Sequence, residues 1–200
     1  MVNTSQKKNS KFSQRLAASI LKSVGWKVEG RLPEIPKYVL IGAPHTSNWD
    51  FPFAMLTKWA LGFKFNWIGK DSLFRWPLGG LMRRLGGIPV NRRIRTRFID
   101  QMISAYNERE KLVIVITPEG TRSKTEHWKT GFYYIALGAH VPIVMGYIDY
   151  ERKVVGIGPI FHPSGDIAAD IKKIAEFYAD KKGKFAEKQG GVRIRSKERE

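Results

Sequence analysis

Apolar residues recur along this chain with two different periods, and the alternation between them predicts its architecture. In residues 11–24, Phe12, Leu16, Ile20 and Val24 return at every fourth position, with Lys11, Arg15 and Lys22 elsewhere around the turn. That spacing predicts a short basic amphipathic helix, ended by Gly25 and followed by Trp26. Tyr38, Val39, Leu40 and Ile41 form an unbroken apolar run that reads as a strand arriving from the interior. Residues 53–61 read as a helix with Pro52 tolerated at its start, 64–68 as a strand, 77–85 as a helix and 88–90 as a short strand. A helix over 98–110 is built on Phe98, Met102, Ile103 and Tyr106. Residues 111–116 are apolar from Leu112 onward and predict a strand buried on both faces. A helix at 129–137, strands at 141–148 and 153–157, and a helix at 166–182 on Ile167, Ile171, Ile174 and Tyr178 complete the pattern. From Gly183 the chain is basic and interrupted by glycine, and a loose tail is expected.

Strand and helix in repeated alternation predict an α/β fold: a single domain with a largely parallel central sheet flanked by helices, preceded by the N-terminal basic amphipathic helix. The expected segments are 1–30 for the basic N-terminal part, 31–182 for the domain and 183–200 for a basic flexible tail. No internal repeat or linker divides the chain. The first helix has two uses open to it. It can dock on the domain by its apolar stripe, or lie in a membrane interface with Trp26 at headgroup depth.

Composition narrows the chemistry. Cysteine is absent, which excludes disulfides, thiolate metal sites and a cysteine nucleophile. A net charge of +17 favours anionic partners: nucleic acid, acidic lipid or a phosphate-rich substrate. The first residues are polar and basic, so no secretory signal is expected. Residues 132–148 carry no formal charge, but Gly138, His140, Pro142 and Gly146 interrupt them, and a helix followed by a buried strand explains them better than a membrane span. Nine of the chain's 24 aromatic residues fall between Trp49 and Trp76. Most are expected in the core, and such density also suits an acyl-chain pocket or a membrane-facing lip.

Two loops carry candidate chemistry. His45 and Asp50 follow the strand at 38–41. Five helical steps would set them roughly 140° apart, so they meet only if the chain turns between them. Once met, the carboxylate holds one imidazole nitrogen and leaves the other free to take a proton. No enzyme nucleophile stands beside the pair, so the nucleophile can belong to the substrate; the spacing alone also fits a satisfied loop histidine. The second loop, Thr117-Pro118-Glu119-Gly120-Thr121-Arg122-Ser123, directly follows the strand at 111–116. In an open parallel sheet ligands sit outside the carboxyl ends of the strands, and both loops qualify. Between residues 83 and 97 stand six arginines and no acid, placed to fork phosphate oxygens or to form a solvated face. A G-x-S-x-G elbow, a Walker loop, a G-x-G-x-x-G fingerprint, H-E-x-x-H and RNA-binding signatures are all missing. The four histidines are too scattered for a local metal site.

Four blocks then come together, and with them the chain resembles the glycerolipid acyltransferase family, of the lysophosphatidic-acid-acyltransferase type of bacterial phospholipid synthesis. They are His45 through Asp50, Gly87 through Arg92, Pro118-Glu119-Gly120-Thr121-Arg122-Ser123, and Val141-Pro142-Ile143-Val144. The likeness covers residues 38–150, the motif core of an acyltransferase domain at 31–182. Pro44 stands where many members have Asn, and Met145-Gly146 where a second proline is often found. The resemblance implies transfer of a fatty acyl group from acyl-CoA or acyl carrier protein to a free hydroxyl of a lysophospholipid such as 1-acylglycerol-3-phosphate. His45 is then the general base and Asp50 its orienter. Arg122 and Arg92 hold the acceptor's phosphate, and Glu119, Gly120 and Thr121 shape the substrate loop, with Glu119 orienting an arginine or touching the glycerol backbone. Backbone N–H groups after His45 are candidates for the oxyanion. No metal and no cofactor beyond the acyl donor are implied, and no nucleic acid partner. The excess charge fits a cytoplasmic enzyme held peripherally on the anionic inner face of the cell membrane. Two rivals remain: a thioester hydrolase of the same fold with water as acceptor, and a non-catalytic basic module for membrane or nucleic acid.

Overall fold

The computed structural model describes residues 10–90 and 95–195, without the side chains of Val90 and residues 95–97. Seven strands form one sheet: β1 Lys27–Glu29, β2 Lys37–Ala43, β3 Asn66–Lys70, β4 Gly87–Val90, β5 Leu112–Ile116, β6 Ile143–Asp149 and β7 Val154–Phe161. Their order is β1-β7-β6-β2-β5-β3-β4. Every neighbouring pair is parallel except the hairpin of β6 with β7. The helices are α1 Lys11–Ser23, α2 Asp50–Ala60, α3 Gly79–Arg84, α4 Arg95–Asn107, α5 Gly131–Gly138 and α6 Ile167–Tyr178. The fold is the expected α/β domain with a largely parallel sheet. Strand β1, only three residues long, carries too little pattern to be read from the sequence.

β2 lies in the middle of the sheet and sorts its residues by the period of two. Val39 and Ile41 face one layer, where Ile114, Ile143, Tyr106, Phe132, Ile135 and Ile174 complete the main core. Tyr38 and Leu40 face the other with Val144. Buried polar groups pin the layers together. Tyr106 donates its hydroxyl to the carbonyl of Tyr38 at 2.7 Å, and Tyr178 donates to the carbonyl of Gly146 at 2.8 Å. β5 is less enclosed than its composition suggests. Leu112 and Ile114 are buried, whereas Val113 and Val115 are half-covered by Phe63 and the aromatic cluster at Phe65 and Trp67.

Three expectations change. α1 packs on α2 and buries Ala17 and Leu21, while Phe12, Leu16, Ile20 and Val24, the stripe by which docking was one of the two uses left open, face outward. Trp26 does not sit at an interface. It is buried, stacked on Phe53 with ring centroids 4.1 Å apart and edge-on to Tyr150 at 4.9 Å, because β1 pairs with β7 and draws the chain inward. The stretch from Gly183 is not loose as far as residue 195. Gln189 staples it: its amide Nε2 donates to the Lys181 carbonyl at 2.8 Å, and its Oε1 accepts from the Gly183 N–H at 2.7 Å. Farther on, the Trp128 N–H donates to the Arg193 carbonyl at 2.7 Å. Isolated hydrogen bonds of this kind leave no apolar periodicity in the sequence.

Candidate active site

β5, β2 and β6 are neighbours and run parallel, so the chain leaves all three at the same edge of the sheet. His45 follows β2, Glu119 follows β5 and Tyr150 follows β6. The sheet thus converges residues that are 74 and 100 positions apart in sequence.

Past β2 the Ala43–Pro44 peptide is cis, and the loop ends where α2 begins at Asp50. Here the turn required between His45 and Asp50 is made. Imidazole Nδ1 lies 2.9 Å from Oδ2 of Asp50. The same oxygen accepts the backbone N–H groups of Thr46 at 3.0 Å and Ser47 at 2.9 Å. Oδ1 accepts the Tyr150 hydroxyl at 2.7 Å. Four donors therefore fix one carboxylate, which also sits in the first turn of a helix, where the dipole favours negative charge. An ionised carboxylate only accepts, so Nδ1 carries the proton and the far ring nitrogen keeps its lone pair. Asp50 is buried, whereas about a fifth of the His45 side chain is open. The N–H groups of Thr46 and Ser47, expected as oxyanion donors, are taken up by Asp50 and are not free for that task.

The second loop is anchored to the first. Glu119, only 8% exposed, accepts the His45 backbone N–H on Oε1 at 2.9 Å, while Oε2 is buried with no hydrogen-bond partner among the described residues. Burial raises this carboxyl to about 7, against the pull of the two backbone N–H groups. Glu119 thus positions the histidine's main chain. Gly120 follows at φ +64°, a left-handed conformation that costs a side-chain-bearing residue. Its N–H donates to the Thr117 carbonyl at 3.1 Å and closes the turn. Thr121 accepts the Ser123 N–H on its hydroxyl at 3.2 Å. Arg122, between them, is exposed and makes no ion pair among the described residues. Arg92 lies outside the described residues.

Tyr150 is the site residue that sequence reading missed. The rule that singled out the loops after β2 and β5 applies equally to the end of β6, one residue before Tyr150. Burial and the adjacent carboxylate push its phenol well above the ordinary tyrosine range, so it remains a donor to Asp50.

A proton acceptor oriented at the carboxyl edge of a parallel sheet, with an arginine-bearing loop tied to it, has the chemistry to take a proton from a hydroxyl. The sequence model of the Acyltransferase family matches residues 26–148, and the chain belongs to that family. Its fold is similar to the crystal structure of the 1-acyl-sn-glycerophosphate (LPA) acyltransferase PlsC from Thermotoga maritima, with a TM-score of 0.60 and 20% identity over 84% of this chain and 75% of that one. A comparison with curated proteins gives no match.

Proposed function

We propose that the protein transfers a fatty acyl group from a thioester, acyl-CoA or acyl carrier protein, to a free hydroxyl of a lysophospholipid such as 1-acylglycerol-3-phosphate. The observation that carries this reading is the His45–Asp50 contact, with the imidazole partly open and, among the described residues, no serine hydroxyl bonded to it. In this reading His45 takes the proton from the acceptor hydroxyl as that oxygen attacks the thioester carbonyl. The tetrahedral intermediate collapses, the C–S bond breaks, and the departing thiolate recovers the proton from the imidazolium. General-base assistance of this kind is worth about 10²–10⁴-fold in rate. Asp50 fixes the tautomer and stabilises the imidazolium, as the acid does in a serine triad, with the lipid hydroxyl in the place of serine. Arg122, exposed on a loop tied to His45 and without an ion pair among the described residues, would fork the acceptor's phosphate and set its hydroxyl against the base.

Two exposed apolar surfaces support a peripheral enzyme on the anionic inner face of the cell membrane. One is the outward row of α1, with Phe12 76% exposed. The other is the segment around α3, where Leu73, Trp76, Leu78 and Leu81 are exposed, Trp76 at 94%. Lys11, Arg15 and Lys22 flank the first, and Arg75, Arg83 and Arg84 the second. Apolar side chains among basic ones suit an anionic bilayer surface. No helix among the described residues is long and apolar enough to cross a membrane.

The deciding experiment is acyl transfer by the purified protein with His45 replaced by Ala. The variant is expected to fold, by circular dichroism, and to lose transfer from acyl-CoA to lysophosphatidate by about 10²-fold or more. Wild-type turnover in the variant would remove His45 as the base. Thioester consumption by the unmodified protein that ignores added lysolipid would favour the hydrolase.

A further inference from the structure

The segment that crosses the catalytic loop from the C-terminal side has no role in the reaction described above, yet its placement is specific. The Tyr150 N–H donates to the Lys182 carbonyl at 2.9 Å, and the Phe185 N–H donates to the Thr46 hydroxyl at 3.3 Å. Thr46 and Tyr150 are two of the residues that hydrogen-bond Asp50. Gly183 lies so close that a Cβ there would come within 2.7 Å of the Thr46 hydroxyl. The segment therefore rests on both neighbours of the His45–Asp50 pair.

Between these two contacts stands Lys184. Its ammonium lies 5.8 Å from the Trp49 ring, 5.6 Å from the Tyr150 ring and 6.0 Å from the Phe185 ring. The Tyr150 ring is the one whose hydroxyl reaches Asp50. Among the described residues no carboxylate pairs with Lys184. The nearby Lys181, by contrast, is paired with Asp180. Ring faces at this range hold a cation weakly, at the outer limit of the attraction, and leave it free to meet an anion. A lone ammonium at the rim, one phenol ring from the proposed reaction centre, is suited to a phosphate.

We infer that Lys184 binds a phosphate of the substrate from this side. The inference rests on the acyl-transfer reading for the identity of the substrate, not for the existence of the anion site. The phosphate has two sources, the acceptor lipid and the coenzyme A part of the donor, and direct binding separates them. The probes are a water-soluble short-chain lysophosphatidate and free coenzyme A, titrated calorimetrically into the unmodified protein and into Lys184→Gln, Lys184→Arg and Lys182→Gln.

The unmodified protein is expected to bind at least one probe. Lys184→Gln should weaken that binding about tenfold, with Lys184→Arg restoring most of it. Lys182→Gln, which removes the same charge two residues away, should change it by less than about twofold. The probe that weakens identifies the source. Gly190→Val tests the placement of the segment while keeping Lys184. A Cβ at residue 190 would overlap the Thr125 carbonyl at 2.0 Å, so the segment must shift and the same affinity should fall. The inference is overturned if neither probe binds, if Lys184→Gln binds both as the unmodified protein does, or if Lys182→Gln is equally damaging. Binding that depends on Lys184 in a protein that transfers no acyl group would keep the anion site and remove the acyltransfer reading.

Discussion

The hydroxyl of Tyr150 donates to Oδ1 of Asp50 at 2.7 Å and takes up the one carboxylate oxygen that His45 leaves free. The ring is braced from behind by Trp26 and Phe53, so the hydroxyl has one direction to point. Tyr150→Phe keeps that packing and removes a single charge-assisted hydrogen bond. We expect kcat to fall roughly tenfold with KM little changed, and stability to fall by about 1–2 kcal/mol. A fall in kcat with KM preserved is a change that loss of packing alone would not produce.

Glu119 links stability to pH. Its carboxyl is held at about 7 in the folded protein, above the ordinary value of 4.5, so the native state keeps this proton longer than the unfolded chain. Its contribution to stability is complete below about pH 4.5 and is lost as pH rises through about 7. Glu119→Gln keeps an acceptor for the His45 N–H and removes the titration. Between about pH 5 and about pH 8 the variant should gain roughly 1–3 kcal/mol on the unmodified protein in urea denaturation. Parallel stability curves for the two would refute this.

Arg122 tests the acceptor side of the site. Its side chain is exposed and unpaired among the described residues, so Arg122→Ala should leave the melting temperature within about 1–2 °C. The KM for lysophosphatidate should rise about tenfold or more through loss of a forked phosphate contact, with a smaller effect on kcat. An unchanged KM would take the phosphate role away from this residue.

The outward apolar rows test the membrane reading. Replacing Phe12 and Leu16 by Ser, or Trp76 by Ser, removes apolar surface that is already exposed, so folding should survive. Co-sedimentation with vesicles containing anionic lipid should fall several-fold in each case and weaken with salt on the scale of about 0.1–1 M. Binding that ignores both anionic lipid and salt would sink the electrostatic part of the idea.

Much of this was legible in the chain. The spacing of His45 and Asp50 required a turn between them, and the start of α2 at Asp50 supplies it. The apolar runs at 38–41, 111–116 and 141–148 located the three strands whose ends carry the site. What the sequence did not show depends on partners rather than periodicity. Tyr150 is a lone tyrosine until β6 is seen beside β2. Trp26 looks interfacial until β1, three residues long, pairs with β7. Residues 183–195 look like a solvated basic tail, because one glutamine and a few backbone donors hold them. The row at Phe12 was visible, but a stripe says only that one side of a helix is apolar. That α1 instead uses Ala17 and Leu21 to seat itself on α2 is a matter of fit.

Because Asp50 is saturated by donors from the protein itself, the histidine is aimed before any lipid arrives. A base prepared in this way does not distinguish a water molecule from a glycerol hydroxyl by orientation. In the proposed reaction, slow leakage of the thioester to free fatty acid is then the natural side reaction, and its rate would gauge how completely an acceptor lipid keeps the site dry.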